Sequence, residues 1–202
     1  MIQRPFAGVD PALLPVVIGC DEVGVGAWCG PVVAAAVWFE PAAIPLDLLE
    51  ALDDSKRLTA ARRRKLAEAI RAHARVAVSA RSAQAIDRHG LRPMTHAAMR
   101  DAVRRLGIGG PVRIDGLGVP PPLADRARAL VRGERIVPQI AAASIIAKTL
   151  RDAILLRLSR RYPAFGWAEN AGYGTRAHAA ALLATGPCRH HRRSFKPVRN
   201  CL

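Results

Sequence analysis

Gly19-Cys20-Asp21-Glu22-Val23-Gly24-Val25-Gly26-Ala27-Trp28-Cys29-Gly30-Pro31-Val32-Val33-Ala34-Ala35-Ala36-Val37 is the stretch around which this 202-residue chain is organised. Two adjacent carboxylates end an apolar run, a glycine-punctuated turn follows, and a second apolar run of small residues comes after it. The run Val16-Val17-Ile18 is short and β-branched, which favours a buried strand and puts Asp21 and Glu22 near its end. Two carboxylates held there repel one another and lose hydration, and the remedies are protonation of one or a bound cation. Oxygen donors of this kind suit a hard metal such as magnesium or manganese. The competing reading is a solvated turn with two incidental acids. Gly24 and Gly26 allow a positive φ and let backbone amides approach a ligand unobstructed. A dinucleotide site is excluded, because the chain runs on into Gly30-Pro31 and a strand-like segment instead of a helix.

Working outward, the length suits one domain with a substantial core, from about 16 to 160, and a C-terminal helix, loop and basic tail from about 161 to 202. Half of the residues are hydrophobic but only 4% are aromatic, so close packing of small side chains is expected and global disorder is not. A net charge of +15, from 31 Lys and Arg against 16 Asp and Glu, favours a polyanionic partner. No long apolar segment or N-terminal signal pattern is visible, which makes nucleic acid the expected partner and not a membrane. The competing reading is a generally basic protein with a coding bias towards Arg and Ala. The four cysteines, at 20, 29, 188 and 201, form no Cys-x-x-Cys pair, and Cys188, His190, His191 and Cys201 match no zinc spacing. Reduced thiols in a cytoplasmic protein follow.

Along the chain, residues 1 to 15 carry four prolines and glycines and no periodicity. Strands are expected over 16–20, 32–39, 75–82 and 112–116, the last delivering Asp115 just before Gly116, as the first delivers Asp21. In an α/β sheet, ligands gather beyond such ends. Thr59 is a candidate N-cap for a helix whose Arg62 to Lys65 cluster is either a solvated face or a phosphate contact. Residues 82–90 are ambiguous, a helix is expected over 94–106, another over 123–131, and a strand over 135–137. The longest helical pattern, 141–158, stacks Ser144, Lys148 and Asp152 on one face, either as a simple ion pair or as a polar stripe meeting metal or substrate. Tyr173 sits between two glycines in an open loop, and Thr175 caps a last helix before a basic tail around Phe195.

Five ordered motifs make the chain resemble ribonuclease HII, the family that cuts RNA in RNA–DNA duplexes. They are Asp21 to Gly26 with Gly30 to Val37, Asp54-Ser55-Lys56, Asp115-Gly116, Ala143 to Asp152, and Gly172 to Thr175 with His191 to Pro197. The resemblance implies a ribonuclease H-like α/β fold, with a mixed five-stranded sheet flanked by helices and a helical C-terminal extension that clamps the duplex. It implies a two-metal site for Mg2+ or Mn2+ on Asp21, Glu22, Asp115 and Asp152, acting as a monomer on RNA–DNA hybrid and on duplex DNA containing ribonucleotides. Gly24, Val25, Gly26 and Tyr173 resemble the family's sensor of the ribose 2′-hydroxyl. Ser55, Lys56, Lys148, Arg192, Arg193, Ser194 and Lys196 are candidate phosphate contacts. Val25 departs from the family's usual Arg, removing a cation beside the scissile phosphate; Gly90 and Pro93-Met94 depart at the start of a helix expected near the DNA strand. Rival readings are a non-catalytic or weakened nucleic-acid-binding member of the fold, and a nuclease acting on DNA alone.

Overall fold

A computed structural model describes residues 4–202. Strand β1 (Ile18–Val23) and strand β2 (Val32–Trp38) form an antiparallel pair around the glycine turn, in the register Asp21 opposite Ala35. After it come helix α1 (Leu46–Ala51), helix α2 (Ala60–His73), strand β3 (Arg75–Arg81), helix α3 (Ala83–His89), helix α4 (Leu91–Leu106), and strands β4 (Val112–Asp115) and β5 (Ala127–Leu130). Helix α5 (Pro138–Arg161) crosses the sheet, and α6 (Trp167–Asn170), α7 (Arg176–Thr185) and α8 (Lys196–Arg199) complete the chain. The five strands lie in the order β3-β2-β1-β4-β5, with β4 parallel to both β1 and β5.

The small residues foreseen in the sequence are what allow close layering. On one face, Val33, Ala35 and Val37 meet Ala141 to Ala143 and Ile145 to Ala147 of α5; on the other, Ala34 and Ala36 meet Ala98, Ala102 and Val103 of α4. Gly19 is the closest approach: a Cβ there would come within 2.1 Å of the Gln139 carbonyl carbon, so only glycine lets α5 start against β1. That contact lays the polar stripe of α5 alongside the carboxylates of β1. The C-terminal residues gather a second, smaller cluster of their own around Phe165, Trp167, Leu182 and Val198, packed on Leu155 of α5.

Three local expectations are corrected. The stretch 123–131 is not helical: a 3-10 turn (Pro121–Leu123) precedes β5, and the strand expected at 135–137 is a 3-10 turn (Gly133–Arg135) leading into α5. Leu123, Ala127 and Leu130 mimic helical spacing, yet pairing with β4 overrides that local pattern. Helix α4 begins at Leu91, before Met94, because Pro93 falls in the first turn, where a missing N–H costs no bond. Residues 82–90, ambiguous in sequence, hold α3 with Ser82 as N-cap, its hydroxyl accepting the Ala85 N–H.

Candidate active site

Parallel neighbours β1 and β4 run side by side, with Cys20 paired to Ile114, so Asp21 within β1 and Asp115 at the end of β4 are brought next to one another. They open into a cavity of about 530 Å3 that Glu22 also lines. Asp21 is buried, and its carboxyl is driven well above the usual range by burial, then by Glu22 and Asp115. The Glu22 N–H, donating to Asp21 Oδ1 at 2.7 Å, opposes the shift. Glu22 is pushed up to about 7 by burial and then by Asp115. Its Oε2 is buried without a partner. Such a group must find a ligand or remain protonated.

Two more carboxylates line the cavity: Asp54, whose Oδ1 accepts the Lys56 N–H at 2.9 Å within its own loop, and Glu134. Glu134 follows Gly133, whose N–H donates to Asp115 Oδ1 at 2.9 Å, and its pKa is raised by burial and by Asp115. Asp152, assigned to the metal site from sequence, does not line the cavity. It lies eight residues beyond Ser144, about 12 Å along the helix, and is held by two cations: Lys148 Nζ at 2.8 Å and Arg63 Nη2 at 3.1 Å. Arg63 is the one member of the basic cluster on α2 that turns inward, while Arg62, Arg64 and Lys65 are exposed. Glu134 escaped sequence reading because residues 123–131 read as a helix; an acid a few residues beyond the end of a short strand was the available sign.

The donor set fits a hard divalent cation, with oxygens only, one of them orphaned, and carboxylates that raise one another's pKa. Among the described residues no three His, Cys, Asp or Glu side chains are close enough to hold an ion unaided. The result is an acid-walled cleft open to further ligands, which suits an ion that binds through one or two carboxylates, water and phosphate oxygens.

Around the acids stand the other expected residues. Gly24, Val25, Gly26, Ser55, Lys56, Lys148 and Tyr173 all line the cavity, as does Asp54. Gly24 takes φ +89°, and Val25 is not among the described residues with positive φ, as its β-branching requires. Ser55 is buried with its Oγ 2.9 Å from Ser144 Oγ, whereas Lys56 is exposed at the rim. The tail behaves otherwise than expected. Arg192 is fully buried, its guanidinium given to the carbonyls of Gly24, Val25 and Gly30, so it has no surface to offer a phosphate. Arg193 and Ser194 are exposed but lie against α3, where Asp87 accepts both N–H groups and the Ser194 hydroxyl. Lys196 is exposed on α8, and none of these four lines the cavity.

The sequence model of the ribonuclease HII family matches residues 18–198. The chain belongs to the ribonuclease HII family. The ribonuclease HII of Cereibacter sphaeroides (strain ATCC 17029) is 48% identical over 191 residues, covering 92% of this chain and 86% of the relative. That of Paramagnetospirillum magneticum is 48% identical over 184 residues, 91% of each. Among solved structures, the ribonuclease HII of Archaeoglobus fulgidus, determined with PCNA, aligns at TM-score 0.74 and 27% identity over 91% of this chain and 95% of that one. Ribonuclease H2 of Pyrococcus horikoshii aligns at 0.77 over 93% of this chain and 97% of that one, a likeness of fold at 23% identity. The protein is thus a hydrolase of the ribonuclease H type, built on the mixed five-stranded sheet expected of it. No described helix is long and apolar enough to cross a membrane.

Proposed function

We propose that this protein hydrolyses the RNA strand of RNA–DNA hybrids and cuts 5′ to ribonucleotides embedded in duplex DNA, leaving a 3′-hydroxyl and a 5′-phosphate. One observation carries the reading: Asp21, Glu22, Asp115 and Glu134 line a single cavity together with Gly24, Gly26 and Tyr173. Asp21, Glu22, Asp115 and Glu134 would hold two Mg2+ or Mn2+ ions. Bound divalent metal supplies activation of water and neutralisation of charge on the phosphodiester. The protein's own part is positional. Lys56 and Lys148 take phosphate oxygens, while the turn and the Tyr173 ring meet the 2′-hydroxyl, the group that separates RNA from DNA. We place the protein in the cytoplasm as a monomer.

Val25 favours a slower enzyme over an inactive one. It lines the cavity beside the acids, and an apolar side chain there offers the phosphate no donor, while the backbone groups of the turn are retained. The deciding experiment is incubation with a duplex carrying one ribonucleotide, with Mg2+ or Mn2+ and with chelator, followed by mapping of the ends. Metal-dependent incision 5′ to the ribonucleotide is expected. Binding without incision under either metal would leave the non-catalytic reading standing.

A further inference from the structure

Arg151 and Arg192 are completely buried, and among the described residues neither takes part in an ion pair. Burying a guanidinium is costly unless its donors are satisfied, and here main-chain oxygens satisfy them. Arg151 donates Nε to Pro31 O at 3.0 Å, Nη1 to Ala171 O at 2.8 Å and Nη2 to Cys29 O at 3.0 Å. Arg192 donates Nη1 to Val25 O at 2.7 Å, Nη2 to Gly24 O at 2.6 Å, and both Nε and Nη2 to Gly30 O. A planar trans peptide points its N–H opposite to its C=O. With the Gly24 and Val25 carbonyls drawn back onto Arg192, the Val25 and Gly26 N–H groups face away from the tail. Neither N–H has an acceptor among the described residues, and both residues line the cavity.

The preceding residue reaches the other wall. His191 Nδ1 accepts the Cys188 N–H at 3.1 Å, which assigns the proton to Nε2. Nε2 then donates to His178 Nε2 at 3.0 Å, and His178 Nδ1 donates to the Tyr173 carbonyl at 2.9 Å. The backbone closes the same unit: Arg192 N–H donates to Trp28 O at 2.8 Å, and Trp28 N–H donates to Gly172 O at 2.9 Å. Adjacent tail residues therefore end on main-chain atoms of both walls.

The geometry points to Arg192 and His178 as positioning residues that aim the Gly24–Gly26 turn and fix Tyr173 against it, so that the C-terminal segment sets RNA-over-DNA discrimination without touching substrate. This rests on the ribose-sensing reading of those two elements given above. The segment thus acts from behind the site. Arg192→Lys keeps the charge but replaces three spread nitrogens of a planar fork with one ammonium nitrogen, which cannot stand at all three places where the carbonyls are met. His178→Gln places its amide near Nε2 and loses the bond to Tyr173, whereas His178→Asn places its amide near Nδ1 and keeps it.

The test compares wild type with these three variants by kcat and KM on a duplex with one ribonucleotide. It adds Kd for that duplex and its all-deoxy counterpart without divalent cation, and melting temperature. Expected are a fall in kcat of roughly ten-fold or more at KM within about three-fold, and loss of the Kd preference, in Arg192→Lys and His178→Gln, with both retained in His178→Asn. Retention in all three overturns the inference, as does an equal fall in His178→Asn and His178→Gln, which would mark plain packing. If Arg192→Lys does not fold, the His178 pair decides alone. Wild type that binds both duplexes alike contradicts the ribose-sensing reading itself, a different failure.

Discussion

The Gly24 to Pro31 turn has a front and a back that handle charge in opposite ways. In front, carboxylates crowd one cavity, raise one another's pKa and leave Glu22 Oε2 without a partner. Behind, two guanidiniums sit out of water with every nitrogen donated to a carbonyl oxygen. Unsatisfied groups are where a ligand is to come; satisfied ones fix the frame that meets it. A buried charge is thus not by itself a mark of a reacting group, and its partners decide which role it has.

The sharpest way to break this comparison is to remove charge from the front. Asp21→Asn is expected to lower turnover by roughly three orders of magnitude or more while hybrid binding holds or tightens, since one negative charge is gone. Steady-state cleavage and a binding titration check it, and a variant that cleaves normally would show that the cavity is not the reacting centre. A smaller effect comes from adding charge where Val25 stands. Val25→Arg supplies a charge-assisted phosphate bond worth about 1.5–3 kcal/mol, so a gain of about ten-fold or more in cleavage of a single-ribonucleotide duplex is expected. No gain would mean the turn is already served by another cation.

The smallest effects are on stability. Glu22, with a folded pKa raised to about 7, binds a proton that the unfolded chain has released above about pH 4.5. Stability contributed by this group is present below pH 4.5 and lost as pH rises through 7. Glu22→Gln should therefore raise the metal-free melting temperature at pH 8, by about 1–2 kcal/mol of stability, and give no gain near pH 4.5. The back of the turn has the opposite sign. His191, lowered to about 4 by burial and then by His178, is neutral in the fold, so its contribution is lost as pH falls from about 6.5 to 4. A melting series from pH 4 to 8 on wild type and Glu22→Gln separates the two slopes.

What could be read from sequence was what local chemistry dictates. The strand, turn and strand of residues 18–38, the acid at the end of β4 and the caps Thr59 and Thr175 each carry their signature in a few adjacent residues. What could not be read depends on distant partners. Strand β5 is a four-residue sheet edge held by β4, and with it went Glu134. Asp152 shares a helical face with Ser144 and Lys148, as expected, but spacing alone does not show that the cavity ends before it. Arg192 read as a phosphate-contacting tail cation because carbonyl oxygens leave no trace in sequence, and Arg63 was indistinguishable from its exposed neighbours.

Glu134 against Asp152 is therefore the contrast on which the account of the site turns, and titration of Mn2+ into metal-bindable protein tests it without relying on turnover. Calorimetric titrations of wild type, Glu134→Gln and Asp152→Asn should show Mn2+ affinity weakened roughly ten-fold or more in Glu134→Gln. Asp152→Asn should stay within about three-fold of wild type, because its carboxylate serves Lys148 and Arg63 outside the cavity. The reverse pattern, with Asp152→Asn losing the metal and Glu134→Gln retaining it, would contradict the assignment of the fourth carboxylate.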